Sequence, residues 1–302
     1  VWGIQPAAGL GEAAGVRALD LLDRLACGEA EGLRIAVVAA HPDDEALFAA
    51  TLMRRAGELV LIHLTDGAPA DGEEAARAGF VTPEAYATAR RMELDRALDA
   101  LGVRPRARLA YGLTDQETIF GLPELVERLA RDLEGCDAVV THAYEGGHPD
   151  HDAAAAAVQI AASAARFEFA GYHARGGALR TGRFHPSPFA PERIVQTSDA
   201  DRRARAAALG CYVSQAEPLA RLAFAPERVR LAPTYDLRAS PPTGEALYDR
   251  WGLSLTSADW RAVLALYDAA AYPSSEPTPA GLLRPWATGP FELRWEAAAP
   301  LS

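Results

Sequence analysis

The chain has 302 residues, about half of them hydrophobic, and a net charge of −11. That length holds one large α/β domain with additions, or two small domains, with enough apolar material for a sizeable core. The acidic balance argues against a nucleic-acid or anionic-membrane partner, which needs a basic face. Cys27, Cys136 and Cys211 are odd in number and scattered. They give neither a disulfide framework nor a paired zinc spacing, so a reduced, cytoplasmic setting is the expectation. No apolar run reaches the length of a membrane span. The start VWGIQPAAGLGEAAG lacks the basic residues and apolar centre of a signal peptide. Lysine and asparagine are absent altogether, which removes the P-loop lysine, the lysine Schiff base and the N-glycosylation acceptor.

In chain order, residues 11–26 space Val16, Leu19, Leu22 and Leu25 about three apart, which predicts an amphipathic helix. Residues 33–41 (LRIAVVAAH) are a continuous apolar run suited to a buried parallel strand. A helix is predicted over 45–57, a second buried strand over 59–67, and a long helix over 83–102 between Pro83 and Gly102. Then follow a strand over 107–112, a helix over 123–135, a strand over 137–143, a helix over 151–167 and a strand over 168–173. The alternation predicts an α/β fold, a Rossmann-like, doubly wound, mostly parallel sheet. After about residue 175 the pattern weakens, with helices expected over 199–213 and 256–270 and the Pro- and Trp-bearing tail unassigned. We expect residues 1–30 to pack an N-terminal helix on a core of residues 31–175, and residues 176–302 to be an extension completing the same domain.

Two polar clusters interrupt this oily chain. HPDDE (41–45) follows the first strand, and HPDH (148–151) follows the fourth. In doubly wound sheets both places lie on the carboxyl edge, where ligands bind. Charges there are costly unless they have partners or work. Two imidazoles and one carboxylate form a common ligand set for a catalytic zinc, with a position left for water. His41, Asp44 and His151 supply that set, and Fe2+ or another divalent metal suits the same donors. Asp43 is the natural general base beside it. His148 is then a spare imidazole, available to stabilise an oxyanion or to protonate a leaving amine, with Asp150 to hold its tautomer. Glu45 fits a structural role in the first helical turn. His63, inside an apolar strand, reads as a satisfied core histidine, His142 as undecided between supporting the site and plain packing, and His173 and His185 as outside the site. GLGEAAG (9–15) follows no strand and has the wrong spacing for a dinucleotide loop, and there is no G-x-S-x-G elbow.

AAHPDDE after an apolar strand, with GHPDH about a hundred residues later, resembles the PIG-L / LmbE-like deacetylases. The likeness spans residues 33–175, with a weaker echo in ALGCYVSQ (208–215). It implies a zinc-dependent enzyme that removes an acetyl group from an N-acetylglucosaminyl compound, with His41, Asp44 and His151 on the metal. It further implies Asp43 as base, and His148 as oxyanion-stabilising or acid histidine with Asp150 as partner. Arg90, with Arg91 as second choice, and Asp115 would contact substrate. Mycothiol-type members place a tyrosine, a mobile acid or oxyanion donor, two residues before the histidine of HPDH; here that position is Gly146, so either Tyr144, the nearest tyrosine, serves at the substrate from a differently shaped loop or His148 carries the acid role alone. Residues 67–86 are expected to border the pocket and tune specificity. The partner implied is a small N-acetylated amino sugar or glycoconjugate, and a homo-oligomer is compatible with the sequence. Three rivals stand beside this: an amidase or deacylase for a larger acyl or thiol conjugate, a sugar-binding protein without turnover, and a structural metal.

Overall fold

The computed structural model describes residues 4–5, 12–188, 190–222, 225–241, 244–253 and 255–271. The Pro- and Trp-bearing tail lies outside the described residues. In chain order the elements are β1 (Ile4–Gln5), α1 (Glu12–Cys27), β2 (Arg34–Ala39), α2 (Asp44–Phe48), α3 (Ala50–Arg55), β3 (Glu58–Pro69), α4 (Glu73–Arg77), α5 (Pro83–Leu101) and β4 (Ala107–Asp115). They continue with α6 (Leu122–Asp132), β5 (Ala138–Thr141), α7 (Pro149–Ala161), β6 (Ala165–Phe169), β7 (Tyr172–Arg175), β8 (Ala178–Thr181) and β9 (Glu192–Ile194). The last are α8 (Asp199–Leu209), α9 (Ala216–Arg221), β10 (Arg228–Leu231), β11 (Thr234–Tyr235), α10 (Leu247–Trp251) and α11 (Ser257–Ala271).

A seven-stranded sheet runs β4-β3-β2-β5-β6-β10-β9. The first five strands are parallel, and β10 pairs antiparallel with both β6 and β9. The apolar run of β2 explains its central place, since a strand covered on both faces needs apolar side chains on both. Ile35 and Val37 join one core layer, with Leu94 and Leu98 of α5 and Leu22 and Leu25 of α1. Ala36 and Val38 join the other, with Leu125 and Leu129 of α6 and the alanines of α7. Trp260, Val263 and Leu264 of α11 lie in that second layer. The chain winds outward from β2 through β3 to β4, then returns to β5 on the other side. The carboxyl ends of β2 and β5 therefore flank the crevice at which such sheets bind ligands.

Three sequence expectations shift, and one edge of the sheet was not anticipated. The helix expected over 45–57 is broken at Ala49 (φ −134°) into α2 and α3. Buried Glu227 explains the break: its carboxylate accepts the Thr51 N–H (2.9 Å) and hydroxyl (2.7 Å), satisfying the start of α3 from outside. The helix expected to reach residue 167 ends at Ala161, because the alanine-rich stretch carries no boundary signal and Ala165–Phe169 pairs with both β5 and β10. The strand expected over 168–173 is split, its second half opening the separate β7–β8 hairpin. The antiparallel edge, β9 and β10, was not legible, being short and rich in arginine and glutamate.

Candidate metal centre

The β2–α2 turn carries the first cluster. Its backbone is forced: Asp43 sits at φ 128°, and Gln116, also beside the site, is the other described non-glycine residue at positive φ. Such a conformation costs about 1–3 kcal/mol and persists only where the surroundings over-determine it. Here they do. The Asp43 N–H donates to Glu45 Oε2 (3.0 Å). Buried Arg90 of α5 donates to Asp43 Oδ2 (3.0 Å), to the Pro42 carbonyl (2.7 Å) and to the Gly67 carbonyl. Gly67 must be glycine, because a Cβ there would overlap the Arg90 guanidinium. Glu45 is fully buried and also receives His63 Nε2 (3.0 Å) and the Tyr212 hydroxyl. It braces the turn from below, more than a helix-dipole acid would.

The β5–α7 turn carries the second cluster. His148 caps α7, its Nδ1 accepting the Asp150 N–H (3.3 Å). An accepting Nδ1 is unprotonated, so the neutral ring carries its proton on Nε2. Burial, with His41 next, holds this imidazole well below its usual range, so it stays neutral. The Asp150 carboxylate consequently is not the tautomer clamp for His148 that the sequence suggested. It lies 3.1 Å from His41 Nε2 but 4.0 Å from His148 Nδ1, and accepts the Gln116 and Thr118 N–H groups.

Asp44 stands between the two turns. Its Oδ2 is 3.2 Å from His41 Nδ1, and its Oδ1 is 3.3 Å from His151 Nε2. His41 Nε2 also faces Asp115 Oδ1 (3.2 Å). The His41 ring packs edge-on to His148 at 4.6 Å. Burial pushes the Asp43 carboxyl up to about 8 despite the Arg90 guanidinium. Burial acts upward on Asp44 too, but the His151 and His142 imidazoles outweigh it and hold this carboxyl well below the usual range.

Two features suit this group to a divalent cation. His151 Nε2 and Asp115 Oδ1 are buried without a hydrogen-bond partner, although each lies within ion-pair distance of a site residue. Close approach without hydrogen-bond alignment is what donors aimed at a common ion show. Asp44, Asp115 and Asp150 are buried together around His41, and the one arginine that hydrogen-bonds beside them among the described residues, Arg90, is taken by Asp43. Carboxylates and imidazoles buried in one place suit a cation. Several donor sets converge: His41, His148 and His151; His41, Asp115, His148 and Asp150; and Asp44, His142 and His151, so the expected set of His41, Asp44 and His151 is divided between the first and the third.

Arg90, expected on substrate, is instead committed to Asp43 and two carbonyls, and Arg91 is exposed. Tyr144, expected on substrate, is buried between Tyr235 and Trp260, with its hydroxyl donated to the Ala239 carbonyl (2.9 Å). The apolar layer beneath α7 draws the ring inward, so it does not face the carboxylates. His173 and His185 sit near each other, away from the cluster, at a ring separation of 6.1 Å. Sequence reasoning left His142 undecided. It stacks on His151 at 3.8 Å, lies 3.4 Å from Asp44, and accepts the Ala40 N–H. It missed Tyr172, whose ring is 5.1 Å from His151, because a tyrosine in a short strand carries no motif. Of residues 67–86, Gly67 touches the site, its carbonyl accepting from the Arg90 that also holds Asp43.

Residues 36–162 match the family model described as PIG-L: GlcNAc-PI de-N-acetylase. Among solved structures, the zinc-inhibited form of teicoplanin deacetylase Orf2 is similar at 17% identity with a TM-score of 0.51, covering 67% of this chain and 99% of that one. The A40926 pseudoaglycone deacetylase Dbv21 is similar at 18% identity with a TM-score of 0.50, covering 67% and 97%. At such identities the likeness is one of fold. No curated protein matches the chain in sequence. Among the described residues, no helix is long and apolar enough to cross a membrane.

Proposed function

Because residues 36–162 form a PIG-L family domain, we propose that the chain is a metal-dependent amidohydrolase that removes an acetyl group from an N-acetylated amino sugar or its conjugate. The described residues within 1–30 and 176–271 are read as completing the same domain. The observation that carries the proposal is Asp44 bridging His41 and His151 at 3.2 and 3.3 Å, with Asp43 held one residue away by Arg90.

His41, Asp44 and His151 would hold the metal. When bound, a divalent cation lowers the pKa of water from 15.7 to roughly 7 and polarises an amide carbonyl. Asp43 takes the proton of the attacking water, and Arg90 fixes the carboxylate that does so. His148, neutral and protonated at Nε2, donates to the oxygen that becomes negative as the carbonyl carbon turns tetrahedral. The proton held by Asp43 then reaches the departing nitrogen as the C–N bond breaks, leaving acetate and a free amine. Asp150 and Asp115 set the orientation of His41. A fold relative is described in a zinc-inhibited form, so the native ion is best chosen by assay.

The test is acetate release from N-acetylglucosaminyl compounds by protein loaded in turn with Zn2+, Fe2+ and Co2+, beside Asp43→Asn. Release by at least one metal form, and its loss in the variant, is the expected result. Tight sugar binding with no release under any metal would favour the non-catalytic reading.

A further inference from the structure

Two aromatic side chains outside the matched segment stand beside the metal-ligand cluster. Tyr172, the first residue of β7, has its ring 5.1 Å from that of His151. Trp251, the last residue of α10, has its ring 5.9 Å from that of Tyr172. The three rings form a line from the buried imidazole, through a half-buried phenol, to an indole that is 49% exposed.

Both positions are fixed. The Tyr172 carbonyl runs so close to Gly147 that a Cβ there would lie 2.1 Å from it. The strand is thereby seated on the loop that delivers His148. Helix α10 is held to the same loop: the Leu247 N–H donates to the Gly146 carbonyl (2.7 Å), and the Tyr248 hydroxyl to Asp152 Oδ2 (3.1 Å). Arg250 ties its far end to the Gly177 carbonyl (2.9 Å) at the tip of the β7–β8 hairpin. Among the described residues the Tyr172 hydroxyl has no hydrogen-bond partner.

A large apolar ring left half in water costs hydrophobic free energy that the fold does not recover internally. Rigid aromatic faces with a polar edge nearby suit ligands that are apolar on one face and polar at the rim. A pyranose has that character: its ring C–H groups make a flat apolar face and its hydroxyls point outward.

We propose that Tyr172 and Trp251 form a two-ring substrate subsite, in which the amino sugar bearing the scissile amide lies against Tyr172 and a second sugar ring joined to it stacks on Trp251. The inference rests on the deacetylase reading and adds to it the substrate's size and the residue that senses it. The ring contacts run from His151 to Tyr172 and from Tyr172 to Trp251, so Trp251 is assigned to the next unit out.

The experiment compares kcat/KM for acetate release from N-acetylglucosamine, N,N'-diacetylchitobiose and p-nitrophenyl N-acetylglucosaminide, using metal-loaded wild type, Trp251→Ala and Trp251→Phe. Wild type should favour the disaccharide over the monosaccharide by at least about tenfold, as a ring contact worth about 1.4 kcal/mol implies. Trp251→Ala should bring the ratio close to one through KM, and Trp251→Phe should restore most of it. A preference for the aryl glycoside over the disaccharide would overturn the sugar assignment in favour of an aryl group. Equal ratios in wild type and Trp251→Ala, or a fall in kcat shared by all substrates, would overturn the subsite. Unchanged metal content and circular dichroism in the variants exclude misfolding. Chitobiose quenching of tryptophan fluorescence, read in parallel, separates the two layers. Quenching lost in Trp251→Ala with no acetate release from any substrate supports the subsite and removes the deacetylase reading. Acetate release without a Trp251-dependent preference does the reverse.

Discussion

The two halves of this site are built in opposite ways. In the β2–α2 and β5–α7 turns, functional groups are contiguous in sequence, buried, and cross-tied: Asp43 by Glu45 and Arg90, Asp44 by His41 and His151, His148 by the start of α7. In the region after residue 165, single residues from separate elements reach the site or the elements that carry it: Tyr172 from β7 touches His151, Tyr212 after α8 bonds Glu45, Glu227 before β10 holds the start of α3, Tyr248 from α10 bonds Asp152 in α7, and Trp251 stands beside Tyr172. Bond-breaking chemistry needs several groups held to within a fraction of an ångström, which one strand-to-helix turn can deliver. Bracing and substrate choice need only one side chain at the right place, so they can be scattered.

Breaking the contiguous half should have the largest effect. Asp43→Asn keeps the shape but removes the base, and acetate release should fall by about 10²–10⁴-fold with metal content unchanged. Retained full activity would remove Asp43 from the chemistry. Next comes its support. Arg90→Met leaves two buried carbonyls and the Asp43 carboxyl without their donor; the carboxyl, already pushed up to about 8, takes a proton, so the loss is that of unsatisfied buried acceptors, about 1–3 kcal/mol. Urea unfolding should show the loss as a lower midpoint; a shift below about 1 kcal/mol would mean the turn holds without Arg90.

The scattered half should respond more mildly. Asp201 closes a reciprocal cap with Ser198 at the start of α8 and pairs with Arg54 (3.1 Å) and Arg55 (2.6 Å). Asp201→Ala should cost about 1 kcal/mol at pH 7. Burial acts upward on this carboxyl, but Ser198, Arg54 and Arg55 outweigh it and hold it below the usual range. A depressed folded pKa stabilises above the unfolded value near 4 and is lost as pH falls through the folded one. The gap between wild type and Asp201→Ala should therefore be full above about pH 5 and shrink in stronger acid; a gap independent of pH would refute the assignment. A change of similar size is Tyr248→Phe, which removes one hydrogen bond to Asp152. It should lower stability by about 0.5–1.5 kcal/mol and speed amide exchange in α10. Unchanged exchange would mean that α10 is docked by its backbone alone.

The same contrast sets what the sequence discloses. The strands over 34–39 and 58–69 were legible because buried parallel strands are unbroken apolar runs, and the two His/Asp clusters because polar residues three apart at a strand end leave a local signature. Asp150's true neighbour was not, since its approach to His41 spans 109 residues. Tyr144 misled because sequence proximity to His148 says nothing about which way a ring turns, and the core claimed it. Nor could periodicity find Tyr172 or Trp251, each a lone aromatic in a short element. The break at Ala49 depends on Glu227, supplied from the far end of the chain.

The central claim is that His41, Asp44 and His151 hold a catalytic divalent ion. The most direct measurement is the metal content of purified wild type beside Asp44→Ala and His151→Ala, after reconstitution with zinc or iron. About one tightly held ion per chain in wild type, lost in both variants while their circular dichroism is kept, is the predicted result. An ion retained by both variants, or none bound by wild type, would contradict the account.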